Sequence, residues 1–316
     1  SFYLKKLKQP IILSRREIMK RIFFFIITNI AILLVLSIFL SLIGFTGILQ
    51  RNGVDLDYDS LMLFSLVFGM GGSFISLYMS KWMAKSMAGV QVIKNPSNEF
   101  ERWYVDVVNR QAKQLGLKNP EIGIFNSPQP NAFATGSSRN NSLVALSTGL
   151  ISSMKRDEVE AVIGHEMSHV ANGDMVTLSL IQGIINAFVI FFSRVIGHFV
   201  DRVILKNERG YGIGYFFTVI FAQVILGILA STIVCWFSRR REFRADHGGA
   251  QLTSKASMIS SLKVLQKMSA AKLPDQMLAF GISNRGNQST LSKLFSTHPP
   301  IPDRIAALEQ ANISEY

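Results

Sequence analysis

The chain alternates between four long stretches without charge and two regions where apolar and polar positions are mixed. No charged residue lies between Arg21 and Arg51, and "IFFFIITNIAILLVLSIFLSLIG" exceeds the ~20 residues that carry a helix across a bilayer. A second uncharged run, "SLMLFSLVFGMGGSFISLYMS", separates Asp59 from Lys81. A third, "MVTLSLIQGIINAFVIFFS", separates Asp174 from Arg194, and a fourth, "IGYFFTVIFAQVILGILASTIVCWF", ends at Phe237. These patterns predict spans at about 22–44, 60–80, 175–197 and 213–237, two hairpins in all. The apolar core of the first run is too long for a cleaved signal peptide, and no small-residue cleavage site follows it.

The mixed regions follow globular rules. In "EFERWYVDVVNRQAKQLGL", Trp103, Val107, Ala112 and Leu115 recur at helical spacing, and Gly116 marks the end. "EIGIF", "NAFAT" and "SLVALS" read as short strands separated by turn residues. Another helix is expected from near Lys155, with Asp157 and Glu158 in the first turn, where the helix dipole favours them. After the fourth span, helices are expected around 239–270 and 302–310, with the Gly/Asn/Ser-rich "GISNRGNQST" between them. The resulting division is an N-terminal extension (1–18), a membrane hairpin (19–88), half of a polar domain (89–174), a second hairpin (175–237) and the other half (238–316).

Composition agrees with a membrane protein that carries a polar part: 48% of residues are hydrophobic, 17% are charged, and mean hydropathy is +0.28. A net charge of +12 suggests nucleic acid, but the basic residues gather beside apolar runs, so no nucleic-acid partner is expected. Arg15, Arg16, Lys20 and Arg21 precede the first span, Lys81 and Lys85 follow the second, and Arg239, Arg240 and Arg241 follow the fourth. This bias places both termini and the polar domain in the cytoplasm. The 198–212 loop, with Arg202, Lys206 and Arg209, fits an exported position poorly. The single cysteine, Cys235, lies in an apolar run and reads as a buried hydrophobe.

Chemistry concentrates in "AVIGHEMSHVANGD". His165 and His169 stand one helical turn apart, so both imidazoles can reach one tetrahedral ion. Glu166 is placed to act as general base on a water at that ion, the logic of H-E-x-x-H zinc sites. Val159, Ile163, Met167 and Val170 fall on another face and can anchor the helix in a core. Topology locates a third ligand. The histidine helix runs into the third span, a hairpin returns the chain to the same side, and the first acidic residue after it is Glu242. Asp246 follows one turn later, where it can orient a ligand histidine through its free ring nitrogen. Ser152 and Lys155, at S-x-x-K spacing, lack partner motifs and read as accidental. Glycines in "GMGGS" read as helix-packing positions, and Gln182 and Asn186 as polar contacts toward the fourth span at Gln223. His198 and His247 read as polar structural residues. His298, in "THPPIPDR", is open between a turn histidine and a site residue, and Arg304 can hold that turn by pairing with a carboxylate.

From Met19 onward the chain resembles the HtpX heat-shock membrane proteases, relatives of the integral-membrane CAAX prenyl proteases. The resemblance rests on "MKRIFFFIITNIAILLV", "NAFATG", "HEMSHVANGDMVT", "SRRREFRADHGGA" and "STHPPIPDRIAAL". It implies a mainly α integral membrane protein with about four transmembrane helices and a cytoplasmic, zincin-like α+β metallopeptidase domain. It implies one zinc ion (Zn2+) per chain on His165, His169 and Glu242, with Glu166 catalytic and His298 facing the reaction centre. It also implies an edge strand at Asn131–Thr135 lining the substrate cleft, so that Asn131, Ala132, Phe133 and Ala134 bind substrate. Main-chain hydrogen bonds to such an edge suit a protease of many unfolded segments. One register should face the substrate, so proline at one of Ala132 or Ala134 is expected to matter.

The implied activity is zinc-dependent endopeptidase cleavage of misfolded or damaged membrane proteins at the bacterial inner membrane. The implied partners are those substrates, the lipid bilayer and other quality-control proteases. Two alternatives are a processing protease for specific membrane or prenylated proteins and a non-proteolytic, zinc-stabilised scaffold. The scaffold would need a fourth protein ligand, and none lies near the motif. A transporter would place ionisable residues inside the spans, where the four runs have none.

Overall fold

The computed structural model describes residues 57–207, 211–270 and 296–313. The expected first span, the N-terminal extension and the 281–290 loop lie outside them. The described residues form two compact units: one contains those of 77–176 and 235–313, the other those of 57–76 and 177–234.

Three described helices are long and apolar enough to cross a membrane: α1 (Tyr58–Met87), α5 (Asp174–Phe199, continued by a wider π turn to Ile204) and α6 (Ile213–Leu252). Within the second unit, small residues let α1 and α5 approach closely. A Cβ at Gly69 would lie 2.4 Å from the Ala187 backbone nitrogen, and Ser179 donates a hydrogen bond to the Ser73 carbonyl at 2.8 Å. A Cβ at Gly71 or Gly72 would meet no other atom within 4 Å beyond its own stretch of helix among the described residues. Gln182 donates to Asn186 one turn along α5, the bond observed where a cross-helix contact was expected. The awkward basic loop satisfies itself: buried Asp201 accepts from Asn207 Nδ2 and Gly212 N, while Arg202 donates to the Asn207 carbonyl.

The other unit is an α+β layer structure. Its strands are β1 (Gln91–Val92), β2 (Glu121–Phe125), β3 (Ala132–Ser138) and β4 (Asn141–Ser147), in the order β1-β2-β4-β3. β2 and β4 run parallel, and the other pairs are antiparallel. Strand periodicity divides the sheet's two faces. Ile122, Val144 and Leu146 join α2 (Glu99–Gln114) and α4 (Arg156–Asn172) in the main core, whereas Leu143, Ala145 and Phe125 meet Val90 and Ala84 on the other face. β4, covered on both faces, is the central apolar strand. The short α3 (Thr148–Ser153) follows it.

α4 starts where Glu158 accepts a hydrogen bond from the Lys155 amide at 2.9 Å. It is anchored by Val159, Ile163, Met167 and Val170, all buried in the main core as their spacing predicts. It stops at Gly173, whose left-handed backbone (φ 66°, ψ 31°) is the conformation glycine adopts without Cβ strain.

One expected helix break, near residue 239, is absent. The fourth span and the segment carrying Glu242 form a single helix of 40 residues. Residues 228–247 contain neither Gly nor Pro, so nothing interrupts the hydrogen-bond ladder as the chain changes from apolar to charged. The break comes later: the Ser254 hydroxyl caps α7 (Lys255–Ala270) by accepting from the Ser257 amide. The last described helix is α8 (Ile301–Gln310), which packs its Leu308 with Met258 and Leu262 of α7.

α4 and α6 cross at two glycines. A Cβ on Gly249 would lie 2.9 Å from His165 N and 3.1 Å from Ala161 O, and one on Gly164 would lie 3.2 Å from Gly249 Cα. Both neighbours are backbone, so a methyl can be accommodated only by moving a helix. Gly249→Ala is therefore expected to destabilise the protein by about 1–3 kcal/mol, measured by thermal unfolding of the full chain in detergent. An unchanged midpoint would contradict so close a crossing.

Candidate metal centre

Three side chains from the two crossing helices converge. His165 Nε2 and His169 Nε2 are 3.2 Å apart. Glu242 completes the triangle, with one oxygen 3.5 Å from His165 Nε2 and the other 3.3 Å from His169 Nε2. Donors bound at 2.0–2.1 Å around one tetrahedral ion stand about 3.3 Å from each other. The triangle has that size, and its two imidazoles and one carboxylate are the donors of a catalytic rather than a closed structural site. These residues fit a zinc ion.

Each histidine also touches a carboxylate on its other ring nitrogen. Asp246 Oδ1 lies 2.9 Å from His165 Nδ1, out of line with the ring N–H. Asp174 Oδ2 lies 2.7 Å from His169 Nδ1. Arg304, at the start of α8, grips Asp246 with two donors, Nε at 2.7 Å and Nη2 on the other oxygen, and its Nη1 stands 3.6 Å from Glu242. Asp246 and Arg304 are both buried, so each charge depends on the other to remain inside the protein. His298 comes to the same place: its Nδ1 is 2.8 Å from Glu242 Oε2, although most of its ring is exposed. Glu166 is partly exposed on α4, and its carboxylate makes no hydrogen bond or ion pair among the described residues.

The residues Asn131, Ala132, Phe133 and Ala134 lie on or beside β3, an edge strand of the described sheet that packs against α4. Ala132 and Ala134 turn toward the core containing α4, while Phe133 packs on the opposite face against Phe125. The register corrects one expectation. The Asn131 carbonyl accepts from Ser147 N, so Asn131, Phe133 and Thr135 direct their backbone groups at β4. Ala132 and Ala134, one position out of phase, both direct theirs away from it. Residues two apart share a direction, so both alanines face the edge of the described sheet, not one of them.

Sequence reasoning passed over Asp174, which it treated as a boundary residue, and the glycines that set the helix crossing. Arg304 was assigned an unnamed carboxylate, and that carboxylate is Asp246. His198 packs edge-on against Tyr211 and Tyr215, and His247 is buried in α6.

Without a metal, the histidines share the centre with protons. Burial lowers the His169 pKa, but the Asp174 and Glu242 carboxylates outweigh it and push it up to about 10. Burial also acts against protonated His165, and Asp246 and Glu242 raise its pKa overall. Both rings are protonated below these raised values and must be neutral to donate to a metal, so protons leave as the ion enters. Zinc affinity, measured by chelator competition and corrected for the chelator's own protonation, should therefore rise from pH 6 to pH 8 by about tenfold per unit for each proton displaced. A flat profile would show that no imidazole proton is displaced.

Residues 98–312, which include the side chains of the centre from His165 to Arg304, match Peptidase family M48. The Protease HtpX of Thioalkalivibrio sulfidiphilus is 57% identical over 292 residues, covering 92% of this chain and 99% of that relative. A Protease HtpX homolog of Nitrosomonas europaea is 57% identical over 294 residues, covering 93% and 100%. The crystal structure of S. mikatae Ste24p shares the fold at a TM-score of 0.60 and 16% identity, covering 90% of this chain and 66% of that one. The chain belongs to Peptidase family M48 and, within it, to the HtpX membrane metalloproteases.

Proposed function

We propose that the protein is a zinc endopeptidase that hydrolyses peptide bonds in misfolded or damaged membrane proteins at the cytoplasmic face of a bacterial inner membrane. The carrying observation is the donor triangle of His165, His169 and Glu242, with the partly exposed Glu166 beside His165 on α4. A zinc ion held there supplies Lewis acidity toward a scissile carbonyl and makes a water more acidic. Glu166 takes the proton of the attacking water and returns it to the departing amine. Asp246, held by Arg304, keeps the His165 ring in place. His298 stands beside Glu242, with Nδ1 2.8 Å from its carboxylate, and is placed to meet the negative charge that develops on the carbonyl oxygen.

Broad specificity is supported by the outward amides of β3. Ala132 and Ala134 offer backbone hydrogen bonds that any extended segment can complete, and their small side chains let a second backbone approach. The cytoplasmic assignment is supported by Lys81 and Lys85 at the end of α1 and by the arginines that follow the fourth span.

Glu166→Gln is expected to bind zinc as the wild type does and to lose nearly all cleavage of an unfolded substrate, since the ligands remain and the base is gone. Normal turnover in that variant would reject Glu166 as the base. For the edge strand, Ala132→Pro and Ala134→Pro should each lower kcat/KM sharply with metal content near wild type, because each deletes an outward amide. If both zinc-loaded variants cleave several unfolded substrates normally, substrate does not bind along β3.

A further inference from the structure

Asp174 sits where α4 ends and α5 begins, one residue beyond the left-handed Gly173. It is 2% exposed, and three groups converge on it. His169 Nδ1 lies 2.7 Å from Oδ2, Arg244 Nη2 lies 3.6 Å from Oδ1, and Arg241 Nη1 donates to its backbone carbonyl at 3.2 Å. Arg241 and Arg244 are three residues apart on α6 and so share a face, with Glu242 between them in sequence. One short stretch of α6 therefore supplies both a donor of the triangle and the cations that hold Asp174.

We infer that Asp174 is a positioning residue for the metal centre, fixing the tautomer and ring orientation of His169 while Arg241 and Arg244 fix Asp174. A neutral imidazole has one N–H and one lone pair. The carboxylate at Nδ1 claims the N–H, which leaves the lone pair on Nε2, the atom that faces His165 and Glu242. On the other histidine a carboxylate is also close, Asp246 beside Nδ1 of His165 but out of line with its N–H, and Arg304 holds Asp246. Each histidine thus has a carboxylate behind it, and each carboxylate has an arginine. A brace at the α4–α5 junction also ties the ring to the point where the chain turns into its membrane hairpin.

An acidic residue in the first turn of a helix also favours that helix through its dipole, as Asp174 does for α5. That role alone would affect stability without affecting the metal. The inference rests on the zinc assignment proposed above, and the test separates the two. Zinc affinity of the full chain in detergent is measured by chelator competition for wild type, Asp174→Ala, Asp174→Asn and Arg244→Ala, together with the visible spectrum of the cobalt-substituted proteins. Asp174→Ala should bind zinc about 10–100-fold more weakly and show a shifted cobalt spectrum. Asp174→Asn keeps an acceptor for the ring N–H and should fall between Asp174→Ala and wild type. Arg244→Ala should give a smaller loss of affinity. Wild-type affinity and spectrum in Asp174→Ala would overturn the brace while leaving the zinc assignment intact. If Asp174→Ala does not fold, Asp174→Asn decides: several-fold weaker binding supports the brace, and wild-type binding overturns it. A wild-type protein that takes up no zinc would refute the assignment and the brace together.

Discussion

A carboxylate almost sealed from water cannot stay ionised unless positive or donating groups surround it. Glu242, 2% exposed, is such a group, and the architecture of the peptidase unit follows from supplying its partners. Two imidazoles come from α4, a third from His298 and a guanidinium from Arg304. These groups can meet only because Gly164 and Gly249 let the backbones of α4 and α6 come into contact. The same cluster of donors and charges is what a divalent cation needs. The centre therefore holds protons when no metal is bound and gives them up when one enters.

The convergence of the three donors was legible in the sequence because it is written at short range or by simple topology. H-E-x-x-H carries its own helical spacing, and Glu242 followed from returning a hairpin to the side it left. The strands were legible from alternation, and their order then placed β3 at an edge of the described sheet. Features that depend on three-dimensional approach were less visible. Glycine has no side chain to suggest a partner, so Gly164 and Gly249 gave no signal until the helices were seen to cross. Asp174 looked like the polar end of a span, because an acidic residue before an apolar run is common in membrane proteins. The outward direction of both Ala132 and Ala134 needed only the period of a strand, and the correction came from applying it to residues two apart. A new helix was expected near residue 239, and the helix instead runs on, because a change from apolar to charged composition marks a change of solvent rather than the end of a helix.

The order of elements has a mechanical consequence. α4 ends at Gly173 and α5 begins at the next residue, and α6 runs without a break from apolar residues to Glu242. Two donors thus sit at the exit to a membrane helix and the third on the return from one. Neither can shift along its axis without disturbing the triangle, so a metal bound there fastens the two helices at their polar ends.

The central claim is that His165, His169 and Glu242 together hold one zinc ion. The most direct test is the zinc content per chain of the purified full-length protein and of Glu242→Gln, determined by elemental analysis after dialysis against a weak chelator. The account predicts about one zinc per wild-type chain and little in Glu242→Gln, with helix content by circular dichroism unchanged. Full zinc occupancy in the folded Glu242→Gln protein would contradict it.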